Sequence, residues 1–384
     1  MSKKKILFYT GSIADYGLLK PLIDKIKIYS AVSLVIGPHH LEKKLGYTYS
    51  QISTKKIEKK FFCKTKINYK DVDVVKFIGE SIFKYKKVIE NYNPRLIILL
   101  GDRYEVLSFA LASFFTGKSL CHIHGGEITK GSFDDTIRHI ITKLSHYHFV
   151  CSDVYKKRLI KMGEDKNSVY NFGSLGAENV KKIGKISKKN LIKKYNLIPK
   201  KKLVLVTFHP ETNSNIKYTK QIETLLKSLK TLKNINLIFT GSNADPFGQI
   251  FNQKIKKFVK NNSNSKFFQS MGNEIYSSFL KASDLILGNS SSAIIEAPSC
   301  GTLVLNVGSR QDGRERSELV HDCRLEYKLI RKKIVKLIKI DNKEIKSNIF
   351  YKKNSSNLMS EKILQIIKKK IISHKYFIDG QNKK

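Results

Sequence analysis

Short apolar runs of four or five residues alternate along this chain with longer stretches in which apolar positions recur every three or four residues. The first kind has the length of a strand buried on both faces, and the second has the period of an amphipathic helix. Their alternation is the pattern of a parallel sheet covered by helices. In the first half it predicts strands at 6–9, 33–36, 96–100, 120–123, 148–151 and 169–172. The helices between them are predicted at 16–29, 72–92, 104–115, 135–145 and 154–162. In the second half strands are predicted at 203–207, 236–239, 266–269, 285–287 and 303–306, with helices at 219–232, 248–260, 274–282 and 292–299. The Lys-rich segment 176–202 reads as a helix followed by a linker ending after Ile198-Pro199, and the Lys/Ile-rich stretch 327–372 reads as helical.

Two βα arrays joined by one linker imply an α/β fold class with two Rossmann-like domains facing across a cleft. The expected domains are 1–176 and 177–354, with a C-terminal helix at about 355–384 packing back on the first. A length of 384 residues suits two cores.

Charge changes this picture less than its size suggests. Lys+Arg is 72 against 32 Asp+Glu, a formal +40, which first suggests nucleic acid or an anionic membrane. Only nine of the basic residues are arginine, the residue that polyanion binders use for bidentate contacts. Between positions 97 and 150 five basic residues face five acidic ones, and between 284 and 323 three arginines stand against six acids. The surplus is lysine beside isoleucine and asparagine, outside the Gly- and His-rich segments. A coding bias on a solvated surface explains it, so no nucleic-acid partner is expected. No run of 18 apolar residues exists to span a membrane. Five dispersed cysteines without a CxxC pair imply neither a disulfide framework nor a zinc knuckle. A cytoplasmic protein is expected.

The chemistry-bearing residues follow the predicted strands, where ligands bind in open α/β sheets. Thr10-Gly11-Ser12-Ile13-Ala14-Asp15 follows the first strand, and Gly101-Asp102-Arg103 the strand at 96–100. His124-Gly125-Gly126-Glu127 follows the strand at 120–123. Asp134 and Asp135 open a helix, with Arg138 and His139 one turn on. Several carboxylates in one site raise one another's proton affinity, which makes one of them a candidate acid or base near neutrality. In the second half His209 follows the strand at 203–207, and Gly288-Asn289-Ser290-Ser291-Ser292 precedes a helix. Its free N–H groups and hydroxyls suit an anion, and Glu296, one turn later, suits a ribose diol; together they point to a nucleotide. Arg310 and Arg314 offer guanidinium forks for a diphosphate. His122 and His124 would share a strand face, but no HxxxH or Cys partner supports a metal there, and none is expected.

These segments, in order over roughly residues 5–320, resemble the hydrolysing UDP-N-acetylglucosamine 2-epimerases of sialic-acid and legionaminic-acid synthesis. The resemblance is carried by Gly101-Asp102-Arg103, His122-Ile123-His124-Gly125-Gly126-Glu127, Asp134-Asp135-Thr136-Ile137-Arg138-His139, Phe208-His209-Pro210-Glu211, Gly288-Asn289-Ser290-Ser291 and Gly308-Ser309-Arg310-Gln311-Asp312-Gly313-Arg314. It implies a glycosyltransferase-B-like architecture, a homodimer and no cofactor or metal. It also implies elimination of UDP from a UDP-2-acetamido sugar to a glycal, then addition of water to give the free manno-configured sugar. Asp102, Glu127 and one of Asp134 and Asp135 would be catalytic, with His209 assisting. Gly11, Asp15, Arg103, Arg138, His139, Ser290, Ser291, Ser292, Glu296, Arg310 and Arg314 would bind substrate. Where that family carries Arg in its first loop, this chain has Ile13. A non-hydrolysing epimerase and a glycosyltransferase of the same architecture are the alternatives.

Overall fold

The structure, a computed structural model, describes residues 3–43, 47–53, 55–63, 65, 73–242, 247–340, 348–369, 371 and 374–379. Backbone packing divides the chain into two units. The first comprises residues 1–127, 134–175 and 352–384; the second comprises 128–133 and 176–351.

The first unit holds β1 (Lys5–Thr10), α1 (Ile13–Tyr29), β2 (Ala31–Ile36), β3 (Lys60–Phe62), α2 (Val74–Tyr92), β4 (Leu96–Leu100), α3 (Tyr104–Phe115), β5 (Leu120–Ile123), α4 (Asp134–Leu144), β6 (Tyr147–Val150), α5 (Asp153–Lys161) and β7 (Val169–Asn171). Its seven strands are all parallel, in the order β3-β2-β1-β4-β5-β6-β7. Every residue of β4 is buried, as both-face coverage demands, which is why the strand is written as an unbroken apolar run. Helix α2 buries Phe77, Ser81, Tyr85, Ile89 and Tyr92, a single stripe at steps of four and, last, three residues. The chain runs outward from β1 in one direction and from β4 in the other, so the crevice between those strands' carboxyl ends is the switch point where such sheets bind ligands.

The second unit holds α6 (Leu175–Ile183), α7 (Lys188–Lys194), β8 (Lys202–Thr207), α8 (Tyr218–Leu229), β9 (Ile235–Thr240), α9 (Gly248–Lys260), β10 (Ser265–Phe268), α10 (Gly272–Ala282), β11 (Leu285–Gly288), α11 (Ser291–Ile295), β12 (Val304–Val307), β13 (Val320–Cys323) and α12 (Tyr327–Leu337). Its six parallel strands run β10-β9-β8-β11-β12-β13, with the switch point between β8 and β11. Helix α13 (Ser355–Lys368) returns to the first unit and packs along α1, burying Met359, Ile363, Ile366 and Ile367 in the core under β1.

Several expectations change. Segment 176–202 forms two short helices, because Ser187 caps a second one. The tail is not one helix over 327–372: α12 stops at Leu337 and α13 starts only at Ser355, while 341–347 lie outside the described residues. Nor does α13 fill 355–384. It ends at Lys368, and residues 374–379 run on without helix, Lys375 donating to the Thr142 and Ser145 carbonyls and pairing with Glu164 at 2.6 Å. Strands β3 and β13 are additional; each is a short edge strand with little apolar signal. Residues 128–133 belong with the second unit, so the chain leaves the first unit immediately after Glu127 and re-enters it at Asp134.

Candidate active site

In the first unit the acids gather at the carboxyl ends of β4 and β5, around one cation. Arg138, one turn into α4, is 1% exposed; Asp102 is 23% and Asp135 27%, so the acids reach solvent while the guanidinium does not. Its Nε donates to Asp102 Oδ2 at 2.8 Å and its Nη2 donates to the same oxygen. Its Nη1 donates to the Glu127 carbonyl at 2.8 Å and to Asp135 Oδ1 at 3.3 Å. Burial works against the Arg138 charge, but the carboxylates of Asp102, Glu127 and Asp134 outweigh it and hold the guanidinium well above its ordinary value. Arg138, expected to bind substrate, is therefore occupied in fixing the acids. His139 faces Asp135 and Arg158; burial pushes its imidazole down, and its buried Nδ1 has no hydrogen-bond partner among the described residues.

Glu127 is 2% exposed. His124 Nδ1 donates to its Oε1 at 2.7 Å, and Cys151 Sγ, from the end of β6, donates to the same oxygen at 3.2 Å. These three side chains lie within 4.8 Å of one another, a grouping that a cation can also use; hydrogen bonds account for it, and no ligand role is assigned. His122 and His124 do not share a face. The strand ends at Ile123, and His124 turns into the left-handed region with φ +70°. His122 is fully buried, held by the Gly101 carbonyl at 2.8 Å and Thr142 Oγ1 at 3.2 Å, and burial pushes it down to about 3. It is a neutral pin under the Asp102 turn.

Asp15 and Arg103 belong to a separate group. Asp15 caps its own helix: Oδ2 accepts the Ser12 N–H at 2.9 Å and its N–H donates to Ser12 Oγ, a reciprocal capping box. Burial pushes Asp15 up to about 6, with Arg103 opposing. Arg103 donates to both Glu105 oxygens, at 3.3 and 3.2 Å, and Glu105 lies 3.1 Å from His39 Nδ1. Gly11 lies beside this group; a methyl on it would stand 3.2 Å from Asp15 Oδ2.

In the second unit the polar groups sit at the ends of β8, β11 and β12 and are mostly neutral. The Asn289 amide and the His209 backbone bond reciprocally, Oδ1 accepting the His209 N–H at 2.7 Å and Nδ2 donating to its carbonyl at 2.9 Å. His209 Nδ1 meets Ser242 Oγ at 3.2 Å. Gly288 has φ +137°, and a Cβ there would overlap the Thr207 carbonyl, so only glycine lets β11 end this close to β8. Helix α11 is only five residues long and stops at Ile295, because Pro298 follows; the helix expected over 292–299 is cut short and Glu296 sits at its end. Ser290 Oγ and Ser292 Oγ are 3.0 Å apart, and the Tyr276 hydroxyl bonds Ser292. Burial pushes the Glu296 carboxyl up to about 7. Arg310 Nη1 and Gln311 Nε2 both donate to the Asn289 carbonyl, at 3.3 and 2.9 Å. Their loop is hung on buried Glu211, which accepts from Ser309 N at 2.9 Å and Ser309 Oγ at 3.0 Å and would be overlapped by any side chain at Gly308. Arg314 is buried in the same loop, and Arg316 pairs outward with Asp322 at 3.2 Å.

Sequence reasoning gave no role to Cys151, Tyr276, Asn289 or Glu211. Asn289 and Glu211 stood inside the strand-end segments and could have been found by asking what holds those loops. Cys151 follows a strand in the same way, but Tyr276 lies mid-helix with nothing to mark it.

The sequence profile of the UDP-N-acetylglucosamine 2-epimerase family matches residues 27–368. The chain is 39% identical over 334 residues, 85% of each chain, to the GDP/UDP-N,N'-diacetylbacillosamine 2-epimerase (hydrolyzing) of Campylobacter jejuni. It is 35% identical over 385 residues, 98% of this chain and 97% of the other, to the polysialic acid biosynthesis protein P7 of Escherichia coli. The crystal structure of UDP-GlcNAc 2-epimerase from Neisseria meningitidis bound to UDP-GlcNAc superimposes with a TM-score of 0.77 at 18% identity, covering 94% of this chain and all of that one. Two parallel α/β sheets with their polar residues at the switch points, matched over nearly the whole length by profile, sequence and fold, make this chain a member of the UDP-N-acetylglucosamine 2-epimerase family.

Proposed function

We propose that this protein is a hydrolysing 2-epimerase that converts a UDP-linked 2-acetamido sugar to UDP and the free manno-configured sugar. The observation that carries the reading is the convergence of Asp102, Asp135 and the Glu127 backbone on one buried guanidinium. Such an arrangement holds solvent-reaching acids at fixed positions in the absence of substrate. The hydrolysing activity that names the Campylobacter jejuni relative supports the same reaction.

The C2 proton of the sugar is weakly acidic, so the C1–O bond to UDP must break ahead of proton removal and positive charge builds at C1. Asp102 and one of Asp134 and Asp135 would stabilise that charge. Glu127, held through an imidazole and a thiol, takes the C2 proton as the glycal forms. Water then adds across the glycal with the acids guiding it, Asp134 or Asp135 assisting. On the nucleotide side, His209, Ser290, Ser291, Arg310 and Arg314 would receive the diphosphate, and Glu296 and Ser292 the ribose hydroxyls. The first unit is thus the carboxylate domain and the second the nucleotide domain. By resemblance the enzyme is a homodimer. All five cysteines are free thiols, which suits a cytoplasmic location; among the described residues no helix is long and apolar enough to cross a membrane.

Proton NMR of the product tests the reaction. UDP-GlcNAc, UDP-N,N'-diacetylbacillosamine and its GDP-linked counterpart should be compared as donors, since the substituents at C4 and C6 and the base define the physiological substrate. Free sugar plus nucleoside diphosphate is the expected result; a returned nucleotide-linked manno sugar would establish the non-hydrolysing reaction instead, and dependence on an added acceptor a glycosyltransferase. Asp102→Asn and Glu127→Gln should each lower kcat at least about 10²-fold with the fold intact.

A further inference from the structure

We propose that His124 and Cys151 are positioning residues for Glu127, holding its Oε1 by two hydrogen bonds so that the carboxylate stays ionised and fixed. This rests on the reading of Glu127 as the proton acceptor.

A carboxylate that is 2% exposed has lost most of its water, which by itself favours the neutral acid. Donors to one of its oxygens reverse that preference, because they bond the charged form more strongly than the neutral one. Here two converge on a single atom, His124 Nδ1–H at 2.7 Å and Cys151 Sγ–H at 3.2 Å. The tautomer follows from the network: with Nδ1 donating, Nε2 is left to accept, and Ser174 Oγ lies 3.5 Å from it. The backbone is built to deliver this contact. His124 takes a left-handed conformation, φ +70°, in the turn just past the strand. Gly126 follows at φ +79°, where a methyl would come within 2.9 Å of the Tyr155 carbonyl, and Arg158 bonds the Gly126 carbonyl. Arg138 fixes the Glu127 carbonyl from the other side. The charged and titratable groups set around Glu127 include His124 beyond β5, Cys151 beyond β6 and Arg138 on α4, with Arg158 on α5 bonded to the neighbouring Gly126 carbonyl. Asp102 and Asp135 reach it through the Arg138 guanidinium.

The test is the pH profile of kcat in variants that remove or replace each donor. His124→Gly deletes the imidazole while suiting the left-handed backbone. It should lower kcat roughly tenfold, leave KM within about twofold and move the acid limb of kcat up by about one pH unit. Cys151→Ala should do the same to a smaller extent. His124→Asn, whose amide N–H can stand in for Nδ1–H and which tolerates the left-handed conformation, should restore most of the rate and the limb; Cys151→Ser should resemble the parent. Lower kcat and Tm with an unmoved acid limb in both deletion variants would mean a purely structural role and overturn the proposal. So would Asn and Ser variants as impaired as Gly and Ala. If His124→Gly does not fold, the Cys151 pair decides alone. Glu127→Gln separates the two levels of the argument: a near-normal rate there removes Glu127 from the reaction, whereas its inactivity beside unmoved limbs removes only the role of His124 and Cys151.

Discussion

The two switch points of this molecule prepare for their ligands in opposite ways. At the ends of β4 and β5 the order comes from charge: one buried guanidinium gathers Asp102, Asp135 and the Glu127 backbone. At the ends of β8 and β11 it comes from backbone shape and neutral hydrogen bonds: Gly288 and Gly308 permit close approaches, Asn289 ties two strand ends together, and hydroxyls line the start of α11. The carboxylates there, Glu211 and Glu296, are both raised by burial. A centre where charge develops during reaction gains from dipoles and ions fixed beforehand. A pocket that must take and release a nucleotide gains from neutral donors whose desolvation costs less. The contrast fits chemistry on one side and recognition on the other.

Substitutions at the two arginines should expose that contrast most strongly. Arg138→Met leaves Asp102, Asp135 and the Glu127 carbonyl without the buried cation that gathers them and should destabilise the protein by about 3 kcal/mol in denaturant titration, with turnover lost. Arg310→Met should leave Tm nearly unchanged and weaken UDP binding about tenfold by calorimetry; equal effects on stability at the two sites would erase the distinction. Next come the glycines. Gly288→Ala should cost more than about 1 kcal/mol, since the new methyl meets the Thr207 carbonyl in a strained φ. Gly101→Ala, also at positive φ but with nothing within 4 Å, should cost only the strain, about 1 kcal/mol, as read from thermal melts.

A subtler effect concerns Glu296. Its folded value of about 7 lies above the ordinary carboxylate range, so the folded state holds a proton that the unfolded chain has released. This stability is fully present at low pH and is lost as pH rises toward 7. Ribose hydroxyls prefer the ionised form, so UDP affinity should rise severalfold between about pH 6 and pH 8 and Glu296→Gln should flatten the rise. An unchanged slope in that variant would assign the dependence to another group. The smallest effect belongs to Lys254→Ala, whose pairing with Glu223 at 2.8 Å joins two exposed side chains: under about 0.5 kcal/mol in the same melts.

Most of the fold could be read in advance because buried parallel strands are written as apolar runs and their helices as stripes. The edge strands β3 and β13 escaped because an edge needs less apolar surface and each is only three or four residues long. The expected helix over 292–299 is split because Pro298 lacks the N–H that an α-helix needs there, so α11 ends at Ile295 and the chain tightens into a 3-10 turn over Ala297–Cys300. In the site, residue types were legible and partners were not. That Arg138 would turn inward to Asp102, Asp15 to its own helix, and Arg103 to Glu105 depends on side-chain direction, which spacing does not encode. Nothing in the sequence marks Cys151 apart from the other dispersed cysteines, since a lone cysteine after a strand is commonly core.

The short stretch beyond α13 has a practical side. Glu164, though buried, is held down to about 2 because His148, Lys375 and Lys143 together outweigh its burial, and Lys375 comes from that stretch. Phe377 fills the space against Gly163 that any side chain there would need. A chain trimmed neatly at the end of its last helix would leave an acid without one of its cations and Gly163 without the ring that lies against it. Whoever produces this protein should carry purification tags at the amino terminus, where Lys3 and Lys4 already stand in solvent.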